Sequence, residues 1–123
     1  MVDLRAARFL ILLGLSQRSA VKLKEVQYFL AVCEAGTFTG AAKRCGVSQP
    51  SLSNAIQRLE RKLGGLLFHR EPAPVRLTEL GRTLLPSFKE FDECAASIYR
   101  NAARLSRADE VEVSRMAHRD IAV

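Results

Sequence analysis

Ser48-Gln49-Pro50-Ser51-Leu52-Ser53-Asn54-Ala55-Ile56 concentrates more chemistry than any other stretch of this chain, and the chemistry is recognition rather than catalysis. Leu52, Ile56, Leu59 and Leu63 repeat at helical spacing and point into a core. Gln49, Pro50, Ser51, Ser53, Asn54, Gln57 and Arg58 are left on the outward face. An ordinary surface helix carries Glu and Lys there. Here short, uncharged donors and acceptors let another surface come close to the helix start. The carboxamides of Gln49 and Asn54 can each pair with adenine, and a good bidentate pair is worth about 1–3 kcal/mol of discrimination. Lys43, Arg44, Arg61 and Lys62 suit phosphates, which position a protein but read no sequence. A merely solvated face is the competing interpretation of each residue taken alone.

Charge distribution sharpens the choice. The chain of 123 residues carries a net charge of +6, which favours a polyanionic partner. Residues 22–70 hold eight Lys/Arg against three Asp/Glu, whereas residues 79–110 hold five against six. The positive excess therefore travels with the polar helix. At 48% hydrophobic and 26% charged residues the composition is that of a folded globular domain, and the length holds one small domain with an extended helix.

Other chemistries find no support. No paired carboxylates, nucleophile–base arrangement or phosphate loop is present, so an enzyme is not expected. Cys33, Cys45 and Cys94 are odd in number and lack C-x-x-C spacing, and His69 and His118 lie far apart, so neither a disulfide framework nor a metal site nor a cofactor is expected. Cys33 and Cys45 fall on apolar helix faces and are expected to be buried thiols, with Cys94 more exposed.

The elements that must hold the polar helix follow from periodicity and breakers. Leu23, Val26, Phe29, Leu30 and Cys33 mark one helix, closed by Gly36; Thr37 can cap a second carrying Phe38, Ala41, Ala42 and Cys45. Gly46 breaks that helix, Ser48 is placed to cap the third, and Pro50 sits in its first turn, where the missing N–H costs nothing. Two short helices joined by a tight glycine turn make a helix-turn-helix. Leu66–Arg70 and Val75–Thr78 flank a proline-rich turn and are expected to form a hairpin, the wing of a winged helix. Thr78 can cap a long helix from Glu79, bent near Pro86. Along it Leu77, Gly81, Leu84, Phe88, Phe91, Ala95, Ile98, Ala102 and Leu105 alternate by four and three, the stripe of a coiled-coil seam. Leu84, Phe88, Phe91, Ala95, Ile98, Ala102 and Leu105 are the expected dimerisation residues. The fold class is mainly α, a winged helix-turn-helix with a small hairpin followed by a long linker helix: an extension over 1–20, a head over 21–78, a linker over 79–106 and a tail over 107–123.

The run "YFLAVCEAGTFTGAAKRCGVSQPSLSNAIQRLERKLGGLLFHR", followed by "VRLTELG", resembles the DNA-binding domain of LysR-type transcriptional regulators. The pattern A-A-x-x-x-x-x-S-Q-P-x-L-S-x-x-I, then L-E-x-x-L-G-x-x-L-F-x-R, then L-T-x-x-G, covers about Leu23 to Gly81, and the linker helix extends it to about Leu105. The resemblance implies a bacterial, cytoplasmic, nucleoid-associated protein that binds promoter DNA as a dimer or tetramer, with an inverted-repeat operator. It places Ser48, Gln49, Pro50, Ser51, Ser53 and Asn54 in the major groove, Thr37 and Thr39 near the DNA backbone, and Arg70 at the wing against phosphates or the minor groove. Cys45 stands where leucine is usual. Asn54 falls at a variable position, so no base preference carries over.

Such regulators continue into a domain that senses a small molecule, and residues 106–123 are too few to enclose a ligand, so no effector site is expected in this chain. A fragment, a truncated product and a natural sensor-less form all stay open. In residues 1–20 a short apolar run, Phe9–Leu15, follows Arg5 and Arg8. It is too short to span a bilayer and its cleavage region is poor, which leaves an upstream extension before a start near Val21 as the main expectation and export as the other. A helical module that dimerises with related regulators is the alternative function; it needs the long helix but not the polar face.

Overall fold

The computed structural model describes Arg5 and residues 20–121; the expectations for the remainder of 1–20 lie outside the described residues. Helix α1 spans Leu23–Ala35, α2 Phe38–Cys45 and α3 Gln49–Leu63; strands β1 (Phe68–His69) and β2 (Arg76–Leu77) follow, then α4 (Glu79–Ile121). Each boundary has a local cause. Gly36, Gly46 and Gly64 end α1, α2 and α3 in the left-handed conformation. At Gly46, φ is 67°, and the following Val47 N–H reaches back 3.1 Å to the Ala42 carbonyl oxygen, which folds the chain over the end of α2. A Cβ there meets no steric neighbour, so the requirement for glycine is conformational. Thr37 and Ser48 cap α2 and α3 as expected: Thr37 Oγ1 accepts from the Gly40 N–H at 3.0 Å, and Ser48 Oγ from the Ser51 N–H at 3.2 Å. A cap of this kind contributes about 1 kcal/mol.

The three short helices enclose one core. Val26, Phe29 and Val32 of α1, Ala41 and Ala42 of α2, and Leu52, Ile56 and Leu59 of α3 are all buried, and the small side chains of α2 let it lie close to its neighbours. Phe29 is the hub. Its ring centroid lies 5.1 Å from that of Phe68 on β1 and 4.9 Å from that of Phe88 on α4, while Phe38 of α2 meets Phe68 at 5.8 Å. Pairs at such distances add about 0.5–1.5 kcal/mol each beyond their buried area, and here they join four elements.

The wing is shorter than the sequence suggests. Its antiparallel strands have two residues each, in register Phe68 with Leu77 and His69 with Arg76. It is anchored at both ends: the Val75 N–H donates to the Gly36 carbonyl at 3.0 Å, and the Thr78 N–H to the Leu67 carbonyl at 2.9 Å. Gly81, the glycine of L-T-x-x-G, is buried here; a Cβ would collide with the Leu67 carbonyl oxygen and sit 2.9 Å from Leu77 Cδ2.

Two expectations for α4 need correction. The helix does not stop near Ser106 but continues to Ile121, because the stretch beyond lacks Gly and Pro and is rich in Ala, Arg and Glu, so helix propensity carries it past the end of the apolar stripe. The stripe is also divided. Phe88 is only 7% exposed within the head core, which leaves little of it for a partner, and Leu84 is half-buried against the same core. Beyond them Phe91, Ile98 and Leu105, seven residues apart, are 43%, 62% and 67% exposed.

Candidate nucleic-acid interface

The geometry of α3 separates its faces cleanly. Leu52, Ile56 and Leu59 are fully buried, while Gln49, Pro50, Ser51, Asn54, Gln57 and Arg58 are exposed and Ser53 is half-buried. The first turn therefore presents two carboxamides and a bare proline ring on a helix whose opposite side is locked. Ser48 is also exposed, but its hydroxyl is occupied: besides capping Ser51 N–H it donates to Ser51 Oγ at 2.8 Å. Ser48 thus shapes the helix start and leaves Ser51 with a free hydroxyl proton. Thr37 and Thr39 lie exposed at the start of α2, with the Thr37 oxygen engaged by its cap and its proton still available to donate.

The cations divide into two kinds. Lys43 and Arg61 are exposed, and no ion pair among the described residues engages them; Arg44 is exposed in a 3.3 Å surface pair with Glu34, which contributes little and breaks readily. Lys62, expected among the phosphate contacts, is not available. Its side chain is 9% exposed, and Nζ lies 2.8 Å from both oxygens of Glu25 and 3.0 Å from the Ala20 carbonyl. Glu25 in turn accepts from the Lys22 backbone N–H at 2.9 Å, so the pair closes the start of α1 onto the end of α3.

Arg70 occupies the wing root. Its guanidinium lies 4.6 Å from the centroid of the Phe38 ring and 3.6 Å from Glu60 Oε1, and its side chain remains 39% exposed. Glu60 is buried and its Oε2 accepts from the Leu67 N–H at 2.7 Å. One carboxylate therefore fixes the turn after α3 and the arginine that projects beside it. Gln57, Glu60, Arg61 and Arg70 border an open cleft of about 500 Å³ on this flank of α3.

On the other flank Ser51, Ala55 and Arg58, spaced by four and three residues, face Lys22 and Lys24 of the α1 start across a polar groove of about 230 Å³. Sequence reasoning missed Lys22 and Lys24 as members of this surface, since nothing in their spacing ties them to α3. It also missed the roles of Glu25 and Glu60; for Glu60 the available signal was a single acid on an otherwise basic helix, and for Glu25 there was none. Cys33 and Cys45 are half-buried rather than fully enclosed; burial pushes the Cys33 thiol up to about 11 and raises Cys45 as well.

Residues 23–82 match the model of the bacterial regulatory helix-turn-helix protein, lysR family. The chain belongs to that family. Among curated relatives, it is 34% identical over 93 residues to the HTH-type transcriptional regulator TfdT of Cupriavidus pinatubonensis, covering 76% of this chain and 41% of TfdT. Over 63 residues it is 49% identical to the regulator BudR of Raoultella terrigena, covering 51% of this chain and 22% of BudR. The chain thus spans less than half the length of these curated relatives. Among solved structures, the BenM_DBD/catB site 1 DNA complex superposes with a TM-score of 0.66 at 31% identity, covering 70% of this chain and 97% of that one. The CbnR_DBD–DNA complex gives 0.64 at 32%, covering 70% and 99%. The family's winged helix-turn-helix is therefore the architecture of this chain's head.

Proposed function

We propose that this chain is a sequence-reading, DNA-binding part of a transcription regulator, with the first turns of α3 in the major groove and the wing root against the backbone. The observation that carries the reading is the face of α3: short uncharged polar groups exposed over a fully buried apolar side, beside cations that no ion pair among the described residues engages. Negatively charged backbones flank a major groove about 12 Å wide, and this pattern fits that setting. The family membership and the two DNA complexes superposed on the head support it.

Gln49 and Asn54 are the base-reading candidates, with Pro50, Ser51, Ser53 and Gln57 setting how closely the helix approaches. Arg58, Arg61, Lys43 and the Arg70 side chain are placed to meet phosphate. Phe91, Ala95, Ile98, Ala102 and Leu105 form the seam for a second copy, since seven-residue spacing of exposed large apolar groups suits a paired helix. Two heads held by one seam read two half-sites, hence an inverted repeat.

The test is selection of random duplexes by the purified chain, followed by sequencing. An enriched inverted repeat supports the reading; absence of any enrichment refutes sequence-specific recognition. The exposed row on α4 also favours a second reading, an interaction module working through pairing alone. Gln49→Ala with Asn54→Ala separates the two: loss of enrichment with pairing intact favours DNA reading, whereas a function that survives the double change favours the module.

A further inference from the structure

The groove between the start of α1 and the middle of α3 joins Ser51 and Arg58, which the sequence marks out, to Lys22 and Lys24, which it does not. Lys22, Lys24 and Arg58 are all exposed around it, and no ion pair among the described residues engages any of the three. The carboxylate that lines it, Glu25, is already held by Lys62 at 2.8 Å and by the Lys22 N–H, so it does not neutralise them. Ser51, at the groove edge, keeps a hydroxyl proton to donate. Three uncompensated cations and a hydroxyl donor around a polar hollow make an anion seat. Its position is as informative as its charge. Ser51, Ala55 and Arg58 form one flank of α3, and Gln57, Glu60 and Arg61, beside Arg70, form the other. A helix lying in a major groove has a phosphate backbone on each side.

We propose that Lys22, Lys24 and Arg58 form a phosphate clamp that holds the DNA strand bordering α3 on the side away from the wing. The inference rests on the DNA-binding reading and adds residues from α1 to it. The clamp grips backbone oxygens, so it strengthens binding to every duplex by the same factor and leaves base preference to Gln49 and Asn54. Arg58 has a second role as the link between the two, because it shares a helix with the base-reading residues and fixes their register against the strand.

The test compares the full chain with Lys22→Gln plus Lys24→Gln, and with a charge-matched control, Lys89→Gln plus Arg107→Gln, both exposed on α4. Affinity for a random-sequence duplex and for a selected duplex is measured from low to high salt, and thermal melting is recorded for each variant. Each phosphate contact contributes roughly 0.9 to the slope of log affinity against log salt. The clamp variant is expected to lose roughly 2 from that slope and roughly tenfold in affinity, equally for both duplexes, with melting unchanged; the control keeps the wild-type slope. Equal slopes in clamp variant and wild type overturn the clamp while leaving DNA binding standing. Equal losses in clamp variant and control also overturn it, by showing a general charge effect. If the wild-type chain binds neither duplex, the DNA-binding reading falls and the clamp falls with it.

Discussion

Lys62→Met separates a structural lysine from a phosphate-binding one. In the folded chain the Lys62 side chain is 9% exposed and that of Glu25 4%, with Nζ 2.8 Å from both carboxylate oxygens. Methionine keeps the unbranched apolar stem, one atom shorter, and removes the charge, so Glu25 is left as a buried carboxylate with only the Lys22 N–H to satisfy it. Stranding one member of a buried pair costs about 3–5 kcal/mol, of which most is the unpaired charge rather than lost attraction. A domain of this size has a total stability of only about 5–15 kcal/mol, at about 0.05–0.15 kcal/mol per residue. Each kcal/mol moves the melting midpoint by about 4–8 °C at this size, so a fall of at least about 12 °C is expected. Circular dichroism melts at one fixed chain concentration measure it, because the proposed pairing through α4 would make the midpoint concentration-dependent. Adding Glu25→Gln to Lys62→Met should recover part of the loss, since it removes the stranded charge. The salt slope of DNA binding, taken well below the midpoint, should match wild type. An unchanged midpoint together with a reduced salt slope would refute the reasoning and return Lys62 to the phosphate-binding set.

Three further outcomes follow from the same geometry. Gly81→Ala drives a methyl group into the Leu67 carbonyl and the Leu77 side chain, and should destabilise the head by about 1–3 kcal/mol in denaturant unfolding, with the wing loosened. Ile98→Asp places a charge in the exposed row of α4 and should shift the chain to monomer in sedimentation while leaving the melting of the head near wild type, because Ile98 is 62% exposed and belongs to no head contact. For the thiols, an alkylating reagent near pH 8 should label the exposed Cys94 before Cys33, which burial holds protonated. An unfolded Cys33 ionises near its ordinary 9.0 and the folded one at about 11, so the folded chain binds more protons in between. The Cys33 contribution to stability is thus intact below pH 9 and declines as pH rises from about 9 to 11; a Cys33→Ala variant should lose that part of the alkaline slope.

Much of this molecule was legible in order of sequence. Gly36, Gly46, Thr37, Ser48 and Pro50 announced the ends and starts of the helices, because capping and backbone conformation are settled within about four residues. The buried and outward faces of α3 were equally plain from its 3.6-residue period. What escaped was every decision that depends on a distant partner. Arg61 and Lys62 are neighbours of the same charge, yet a turn of roughly 100° about α3 leaves one in solvent and brings the other to Glu25, 37 residues away in the chain. The stripe of α4 has one uniform pattern, but the head covers it at Phe88 and leaves it bare from Phe91 onward, since the core around Phe29 extends only that far. Lys22 and Lys24 join Arg58 for the same reason: α1 packs with its start against α3, and spacing along a chain carries no record of which helix flank another helix will meet. Sequence by itself determined the elements, their caps and the polar edge of α3, because those follow from interactions within one element. Tertiary packing alone decided which charges are spent on the fold and which are left for a partner, because the energy of a charge depends on what surrounds it.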